Sequence, residues 1–528
     1  MGSSLTQRLA LRKRSLTAGM VVGVVFFAVL LVVGLKGYAD YGLSSDEGTQ
    51  LRLGLTNYHY ITRTPALDNL IGYRDQYYGP LFELILLAGY RPGMDTQQIF
   101  LNRHLINFLS FYAGCLVFFW LARRLSRSTW LGLIATAFLA LSPRIFADAF
   151  YNSKDIPFLV FYIFSIASLI WFLDRPSLLR AVVHGGVTAA MLDVRLPGLV
   201  IPALTLAGLG IEVLARRIPL RKALLGGLLY GVVCSGVLVA IWPVLWHDPL
   251  HTFIEALKQM SRYPHSIGMV YLDGMVRSTN LPWHYIPVWI GVTTPLLYLG
   301  LFAVGLGAMV VNLLRPIRMA LTVEQRDGLL VLGTLLLPLA VVIGLHSVLY
   351  DGWRQMFFIY APFLLVALKG MEWGWKMLAT RLPKQWALGL GIGILAVGVL
   401  PVAGWMLANH PNENVYFNRL AGADMQTIGK EFMLDYWGLA YRAGLEYITH
   451  NDPRPHIVVA VQTDMGNTNM LMLSPADQAR IVKAVVGQAP DYFISNYYRN
   501  SGEVYPYPEM FSVKVGNAKI LSVFKTSP

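Results

Sequence analysis

Long apolar runs recur along this chain, and they constrain its fold more than any other feature. A run of about 18 or more apolar residues is long enough to cross the roughly 30 Å hydrocarbon core of a bilayer. Only 14% of the 528 residues are charged, whereas a soluble protein carries about a quarter. The sequence therefore predicts a polytopic α-helical membrane protein with about eleven transmembrane helices. The predicted spans are residues 17–36, 102–122, 130–149, 155–173, 179–194, 196–214, 224–244, 285–312, 328–348, 356–376 and 386–407.

Clusters of positive charge predict the orientation of these spans, because cytoplasmic loops are rich in Lys and Arg. With eleven spans all the clusters fall on one side, so we expect a cytoplasmic N-terminus and an external tail, as in a bacterial cytoplasmic membrane. The formal net charge of +13 then reflects topology and contact with anionic membrane lipids, not a nucleic-acid partner. The clusters are Arg8, Arg12, Lys13 and Arg14; Arg123, Arg124 and Arg127; Arg175 and Arg180; Arg216, Arg217, Arg221 and Lys222; Arg315 and Arg318; and Lys376, Arg381 and Lys384.

Three external segments are large enough to build a site. Two are loops, residues 37–101 and 245–284, within a transmembrane domain predicted over residues 1–408. In them, residues 81–90 are predicted to form an interfacial or re-entrant helix and residues 253–260 a helix lying on the membrane. The third is the tail, residues 409–528, which reads as a small α/β domain.

The tail alternates helical and strand patterns. Gly516-Asn517 is predicted to form a hairpin turn between its last two strands. The predicted helices and strands are, respectively, residues 440–449 and 477–486, and residues 457–461, 492–495, 511–515 and 520–524.

Acidic and basic residues gather in the segments predicted to be external. Asp46-Glu47 follows the first span, and uncompensated acids beside a bilayer are costly, so such a pair favours chemistry or cation binding. Lys154-Asp155 and Arg354 lie in two other external joints. A carboxylate beside a fixed cation suits attack on a phosphate-bearing donor, since the base takes a proton and the cation neutralises the departing phosphate.

Structural interpretations compete with these functional ones. Asp46-Glu47 also fits a solvated turn or a helix N-cap, and Asp155 a second N-cap. Lys154 and Arg354 fit cations that snorkel from span ends. External tryptophans and tyrosines fit either a sugar platform or a membrane-interface belt. These are Trp246, Trp283, Tyr285 and Trp353.

For two further pairs of ionisable residues a structural role is favoured. His247 and His251 are four residues apart, but no glutamate accompanies them and Pro249 lies between them, so a metal site is not favoured there. Asp193 and Arg195 interrupt the apolar pattern between residues 179 and 214, which leaves those span boundaries undefined. We expect these two residues to neutralise each other or to line the interior.

Several short motifs accompany this layout: Ser44-Ser45-Asp46-Glu47-Gly48, Asn102-Arg103, Asn152-Ser153-Lys154-Asp155-Ile156-Pro157, Leu281-Pro282-Trp283-His284-Tyr285, Thr293-Thr294-Pro295, Tyr350-Asp351-Gly352-Trp353-Arg354, Tyr416-Phe417-Asn418 and Leu434-Asp435-Tyr436-Trp437-Gly438. Together they resemble the GT-C superfamily of polytopic glycosyltransferases, which use polyprenyl-phosphate sugars. The closer resemblance is to bacterial relatives of the protein O-mannosyltransferases (glycosyltransferase family 39) and to the lipid A aminoarabinose transferases. It covers most of the chain in layout.

The resemblance implies roles for individual residues. Asp46 matches an acid that acts as base or orients the acceptor, with Glu47 as its partner. Asp155 matches the second acidic position, with Asp148 as the second choice. Lys154 and Arg354 match cations that hold the donor phosphate. We assign the same task to Arg103, and sugar or acceptor binding to Tyr78, Trp283 and His284.

The expected function is therefore inverting transfer of a sugar from a polyprenyl-phosphate donor to a glycan, lipid or protein acceptor outside the cytoplasm. Some relatives hold a divalent metal, Mg²⁺ or Mn²⁺, between the acids and the phosphate, but the sequence names no ligands for one. The tail does not resemble the β-trefoil of eukaryotic protein mannosyltransferases, which puts a protein acceptor in doubt. A transporter or lipid flippase is the alternative, favoured by Asp193 and Arg195 beside a broken helix, and a non-catalytic scaffold is a third.

Overall fold

The structure is a computed structural model that describes residues 5–64, 69–261, 266–314, 321–485 and 487–526, with side chains described from residue 18 onwards except at position 261. The part up to residue 409 is helical apart from one short hairpin. Its α-helices are α1 (Leu5–Gly37), α2 (Glu47–Thr62), α3 (Leu81–Leu86), α4 (Thr96–Ser126), α5 (Thr129–Ala140), α6 (Pro143–Tyr151), α7 (Asp155–Asp174), α8 (Leu178–Val194), α9 (Val200–Leu214), α10 (Leu220–Ile241), α11 (Pro249–Ser261), α12 (Tyr285–Thr293), α13 (Leu296–Leu313), α14 (Val323–Gly344), α15 (Tyr360–Arg381) and α16 (Lys384–Asn409).

Among the described residues, 9 helices are long and apolar enough to cross a membrane, and the bent pair α5 and α6 would make up to 10. The chain is thus a polytopic helical membrane protein with a small C-terminal domain, as predicted. The spans are Ala18–Gly37, Thr96–Ser126, Asp155–Asp174, Leu196–Leu214, Leu220–Ile241, Leu296–Leu313, Val323–Gly344, Arg354–Arg381 and Lys384–Asn409.

Proline breaks and one short helix explain why the sequence predicts about eleven spans. The predicted span 130–149 bends by 66° between α5 and α6, where Pro143 starts a new helix. The predicted span 285–312 ends its first helix before Pro295. The predicted span 179–194 is α8, whose 17 residues rise only about 26 Å at 1.5 Å per residue. Proline lacks the amide hydrogen that continues a helix, yet it leaves the hydropathy of a run almost unchanged.

Helix α7 connects two clusters of charged side chains at opposite ends of the helical body. It starts at Asp155, which pairs with Arg354 in one cluster, and ends at Asp174 in the other. At 1.5 Å per residue the two ends of the helix are about 28 Å apart. Asp174 forms ion pairs with Arg124 (2.6 Å) and Arg326 (2.9 Å). This separation matches the thickness of a bilayer core. Arg315, Arg318 and the side chains of Arg8, Arg12, Lys13 and Arg14 lie outside the described residues.

The tail forms one mixed five-stranded sheet. The short hairpin after α11 is β1 (Gly268–Tyr271) with β2 (Gly274–Arg277). The tail elements are α17 (Met425–Glu431), α18 (Tyr441–Asn451), β3 (Ile457–Val461), α19 (Asp464–Asn469), α20 (Pro475–Gln478), β4 (Ile481–Lys483), β5 (Tyr492–Ser495), β6 (Glu509–Val515) and β7 (Ala518–Lys525). The strands of the tail sheet lie in the order β4-β3-β5-β7-β6. β3 pairs in parallel with β4 and β5, whereas β7 pairs antiparallel with β5 and β6.

The four predicted tail strands, the helix near residues 440–449 and the hairpin turn at Gly516 are confirmed. The predicted helix 477–486 is wrong. α20 ends at Gln478, and Ile481 and Val482 then pair in parallel with β3. Their β-branched side chains favour a strand once a partner edge is present. Residue 486, at the end of that prediction, lies outside the described residues.

The tail packs directly on the segment that follows α1. The Leu43 amide donates to Asn469 Oδ1 (2.8 Å), and the Tyr41 hydroxyl donates to Glu413 Oε2 (3.0 Å). The Trp437 indole donates to Asp148 Oδ1 (2.9 Å). All three bonds are buried, so they are shielded from competing water. The tail therefore fixes the position of the loop that contains Asp46.

We predict that this docking weakens at alkaline pH. His410 lies between Glu413 (2.7 Å) and Asp40 (2.9 Å), and its bond to Glu413 is the largest of the effects that raise its pKa to about 9. Because the folded pKa is raised, the stabilisation is complete below the ordinary His value and is lost as pH rises through about 9. Thermal unfolding between pH 7.5 and 10 should show the loss in the wild type. It should be absent in His410→Gln and present in His456→Gln, and equal profiles for all three proteins would contradict it.

A close approach of α13 and α15 gives a second prediction. A Cβ atom at Gly370 would lie 1.9 Å from the Leu301 carbonyl oxygen, and one at Gly305 would lie 1.9 Å from the Val366 carbonyl oxygen. Small residues allow membrane helices to pack this closely. Gly370→Ala should therefore cost about 1–3 kcal/mol of stability through overpacking, measured as a lower thermal midpoint. Gly374→Ala, one turn further along α15 and facing open space, is the matched control and should show no loss.

Candidate active site

Arg354 lies at the centre of a charged cluster at one end of the helical body. Its Nη1 atom is 3.1 Å from Asp46 Oδ2 and 3.0 Å from Asp155 Oδ2. The three residues come from three separate segments, each at the start of a helix: Asp46 precedes α2, Asp155 begins α7, and Arg354 begins the 3₁₀ turn that leads into α15. Asp46 occupies the N-cap position of α2, but its side chain makes no capping bond. The carboxylate is directed to Arg354 instead.

Three more charged residues complete the cluster. Lys154 Nζ lies 3.7 Å from Asp46 Oδ2, and Arg195 Nη2 lies 2.8 Å from Asp155 Oδ1. Asp351 Oδ2 lies 3.5 Å from Arg354 Nη2. Asp155 also accepts a hydrogen bond from Asn152 Nδ2 (3.0 Å). Carboxylates and cations therefore alternate, and each buried charge has an opposite charge nearby, as burial requires.

Aromatic rings cover the cations of this cluster. The Arg354 guanidinium lies 4.4 Å from the centre of the Trp437 ring and 4.9 Å from that of Tyr350. Lys154 Nζ lies 4.8 Å from the centre of the Tyr78 ring. These are cation–π distances. Trp437 belongs to the tail, so the C-terminal domain contributes directly to the site.

Asp46 is the accessible carboxylate of the cluster. Its side chain is 31% exposed, whereas that of Asp155 is 1% exposed. Burial would raise the pKa of Asp46, but Arg354 and Lys154 outweigh it and hold the pKa below the ordinary value. Burial raises the pKa of Asp351 to about 6, against the opposing effect of Arg354. Asp46 is therefore ionised at neutral pH and partly open to an incoming group.

Arg354 has hydrogen-bonding capacity left over. Its Nε atom is buried and forms no hydrogen bond with any described residue, and its Nη2 atom faces only Asp351, at the long distance of 3.5 Å. Buried donors almost always have a partner. An unused guanidinium donor beside Lys154 fits an oxyanion, which a guanidinium binds with two parallel hydrogen bonds.

Two predicted site residues make their contacts beside the cluster. Glu47 is buried, accepts a hydrogen bond from the Ser44 amide (2.8 Å) and lies 3.0 Å from His104 Nε2. Arg103 is buried against Glu83 (2.6 Å). These contacts hold the loop of Asp46 and connect α4 to α3, and the catalytic role of Glu47 and the phosphate-binding role of Arg103 stay predictions.

Trp283 and His284 lie in the loop before α12, the second of the loops predicted to be external. His284 Nδ1 is 2.7 Å from the Tyr271 hydroxyl of the β1–β2 hairpin. Trp283 is 71% exposed and lines a separate cavity of about 290 Å³ with residues after α14. Of the three residues assigned to sugar or acceptor binding, Tyr78 is the one that the structure brings to the charged cluster.

Asp193 and Arg195 do not neutralise each other but lie in the interior, the second of the two alternatives expected from the sequence. Asp193 Oδ2 accepts the Leu81 amide (2.8 Å) at the start of α3, whereas Arg195 binds Asp155. Helix α8 ends between them, and their backbones differ sharply, with Arg195 extended. Asp193 thus caps the short helix predicted at residues 81–90, and Arg195 joins the candidate site.

Sequence reasoning gave no role to Trp437, Asp351 or Asn152, although all three lie in the motifs quoted for the family resemblance. Their common signal is a polar or aromatic residue beside a break in an apolar pattern.

Asp148, the second choice for an acidic role, is buried and accepts a hydrogen bond from the Trp437 indole. Trp353 and Tyr285 are buried core residues, and Trp246 packs on Tyr60.

Metal binding does not fit the acids of this cluster. Among the described residues no group of three His, Cys, Asp or Glu is placed to hold a metal ion. Asp46 and Asp155 already share Arg354, with Lys154 and Arg195 on their other sides. A divalent cation there would lie among fixed positive charges.

Two solved structures resemble the chain over nearly its whole length. Both are ArnT from Cupriavidus metallidurans. The form bound to undecaprenyl phosphate has a TM-score of 0.49 and 16% sequence identity, covering 95% of this chain and 97% of that chain. The apo form has a TM-score of 0.47 and 16% identity, covering 97% and 98%. No protein-family model matches the chain, and neither does any curated protein.

The contacts of Glu47 lead to a prediction. In Glu47 one carboxylate oxygen accepts the Ser44 amide and the other faces His104. Glu47→Gln replaces one of these oxygens by an NH2 group, so one buried contact loses its acceptor. An unsatisfied buried polar group costs about 1–3 kcal/mol. We expect a lower thermal midpoint for this variant and a smaller effect for Glu324→Gln, whose side chain is 64% exposed. Any loss of activity should then match the loss of folded protein. A fully stable but inactive Glu47→Gln protein would instead support a catalytic role.

Proposed function

We propose that this protein is a membrane glycosyltransferase that moves a sugar from a polyprenyl-phosphate carrier to an acceptor on the extracytoplasmic face. The observation that carries the proposal is the position of Arg354 between Asp46 and Asp155, with Lys154 beside the exposed edge of Asp46. One accessible carboxylate next to two cations meets the needs of this reaction. No nucleotide is needed, because the carrier is a lipid phosphate.

The reaction is a single displacement at the anomeric carbon. The acceptor hydroxyl attacks this carbon, Asp46 takes the hydroxyl proton, and the bond from the carbon to the phosphate oxygen breaks. The carrier leaves as a phosphate monoester with one more negative charge than the diester donor. Because attack and departure occur on opposite faces, the configuration inverts.

The cations act on the charge that develops during this step. Lys154 and Arg354, whose Nε donor has no hydrogen-bond partner among the described residues, would bind the phosphate oxygens, and their attraction grows as the oxygen departs. Interactions that strengthen in the transition state are the ones that accelerate a reaction. In a buried site such fixed charges are screened less than in water.

Donor binding would also change the basicity of Asp46. Arg354 and Lys154 hold the pKa of Asp46 low in the free protein, against the effect of burial. A bound phosphate would share these cations and add a negative charge nearby. Both effects raise the pKa of Asp46 and make it a stronger base at the moment of attack. The site would thus become reactive when the donor is present.

The two charged clusters support an orientation in the membrane. We place the Arg354 cluster on the outer side and the Arg124 and Arg326 cluster at the cytoplasmic side, as the distribution of Lys and Arg predicts. Asp193 and Arg195 beside a broken helix favoured a transporter in the sequence, but both residues have structural contacts that account for them. Arg195 supports Asp155, and Asp193 caps α3.

Asp46→Asn should lower turnover by about 10²–10⁴-fold, the usual contribution of a general base. The measurement is sugar release from a synthetic undecaprenyl-phosphate sugar by purified protein. Undecaprenyl phosphate should still bind to Asp46→Asn, because the substitution removes a negative charge and keeps both cations. Lys154→Gln should weaken that binding, and Lys514→Gln, at an exposed position in β6, is its control. Unchanged turnover in Asp46→Asn would remove the proposed base.

A further inference from the structure

A turn of the C-terminal domain, residues 496–501, adjoins the candidate active site. It follows β5 and contains two non-glycine residues in left-handed backbone conformations, Tyr497 (φ 52°) and Arg499 (φ 63°). Tyr497 is held by its hydroxyl, which donates to Ser522 Oγ (2.8 Å), and by its amide, which donates to Ser495 Oγ (3.1 Å). Side chains disfavour this conformation, and residues held in it cluster at functional sites.

The turn lies against the segment that forms one wall of the charged cluster. Tyr498 and Arg499 line a small cavity together with Asp435 and Tyr436. The next residue, Trp437, is the one whose ring covers Arg354 at 4.4 Å. The turn is therefore one residue layer away from the cations that the proposed reaction uses.

Arg499 is the cation at the tip of this turn. Its guanidinium stacks on the Tyr498 ring at 4.8 Å, and its side chain is exposed. Its charge reaches the site, since it adds to Arg354 in opposing the rise that burial causes in the pKa of Asp351.

A count of charges shows what Arg499 adds. In the cluster the three carboxylates of Asp46, Asp155 and Asp351 are matched by the cations of three basic residues, Lys154, Arg195 and Arg354. Arg499 is an additional positive charge on the exposed side. A planar guanidinium stacked on an aromatic ring is pre-organised to bind an oxyanion with two hydrogen bonds.

We propose that Arg499 is a specificity residue that binds an oxyanion, a phosphate or carboxylate, of a substrate entering the site from outside. The inference rests on the proposed glycosyl transfer and names a contribution of the tail to it. The oxyanion has two possible sources, the phosphate of the lipid carrier and an anionic group of the acceptor. Both would be recognised by the same guanidinium.

The test uses the full-length protein in nanodiscs of zwitterionic lipid. Dissociation constants for undecaprenyl phosphate, and for inorganic phosphate with the lipid already bound, are measured by ligand-induced shifts of thermal unfolding. Arg499→Ala should weaken one of the two by about tenfold, the expected loss for a charge-assisted hydrogen bond. Arg499→Lys should restore part of it, since it keeps the charge without the fork. Lys514→Ala, which removes another exposed cation of the tail, should change neither.

The two arms separate the sources. A loss confined to undecaprenyl phosphate assigns Arg499 to the carrier, and a loss confined to inorganic phosphate assigns it to the acceptor. Equal affinities in Arg499→Ala and Lys514→Ala for both ligands would overturn the proposal. Sugar release by the wild-type protein is measured separately. Absence of release, with Arg499-dependent phosphate binding retained, would reject the glycosyl transfer and leave an oxyanion site.

Discussion

The bridge from Arg354 to Asp46 and Asp155 is the interaction on which the site depends. It joins three segments that are far apart in sequence, each at the start of a helix. The pair of Arg354 with Asp155 is buried, each side chain being 1% exposed, so removing either of these two partners would leave an uncompensated charge, which is strongly destabilising. The bridge therefore holds the cluster in one arrangement, and the lysine and aromatic rings around it take their positions from that arrangement.

The tail is part of this arrangement and not an appendage. Trp437 both covers Arg354 and donates to Asp148 at the end of α6. Asn469 holds the backbone of the loop just before Asp46. A domain that binds the loop of the base on one side and the central cation on the other couples its own docking to the geometry of the site.

The sequence predicts the membrane architecture, the tail strands and the gathering of Asp46, Lys154, Asp155 and Arg354, because run lengths, turn residues and charges in apolar surroundings are local signals. The sequence does not show which of the two neighbouring acids, Asp46 or Glu47, faces Arg354. At the start of a helix, consecutive residues point about 100° apart, so one faces Arg354 and the other His104. The direction depends on how α2 is rotated. That rotation is set by packing against α3 and α4, which the sequence does not display.

The cluster is balanced without a ligand, and this balance has a chemical consequence. An unpaired carboxylate in this place would repel a phosphate, and an unpaired arginine would carry a large desolvation cost. Pairing them lowers both costs, but it also weakens Asp46 as a base, since its pKa is held down. Only a ligand that competes for the same cations relieves this restraint. An oxyanion on a lipid carrier competes for these cations, whereas a neutral sugar does not. The charge arrangement therefore favours a phosphate-linked sugar over a free sugar as the donor.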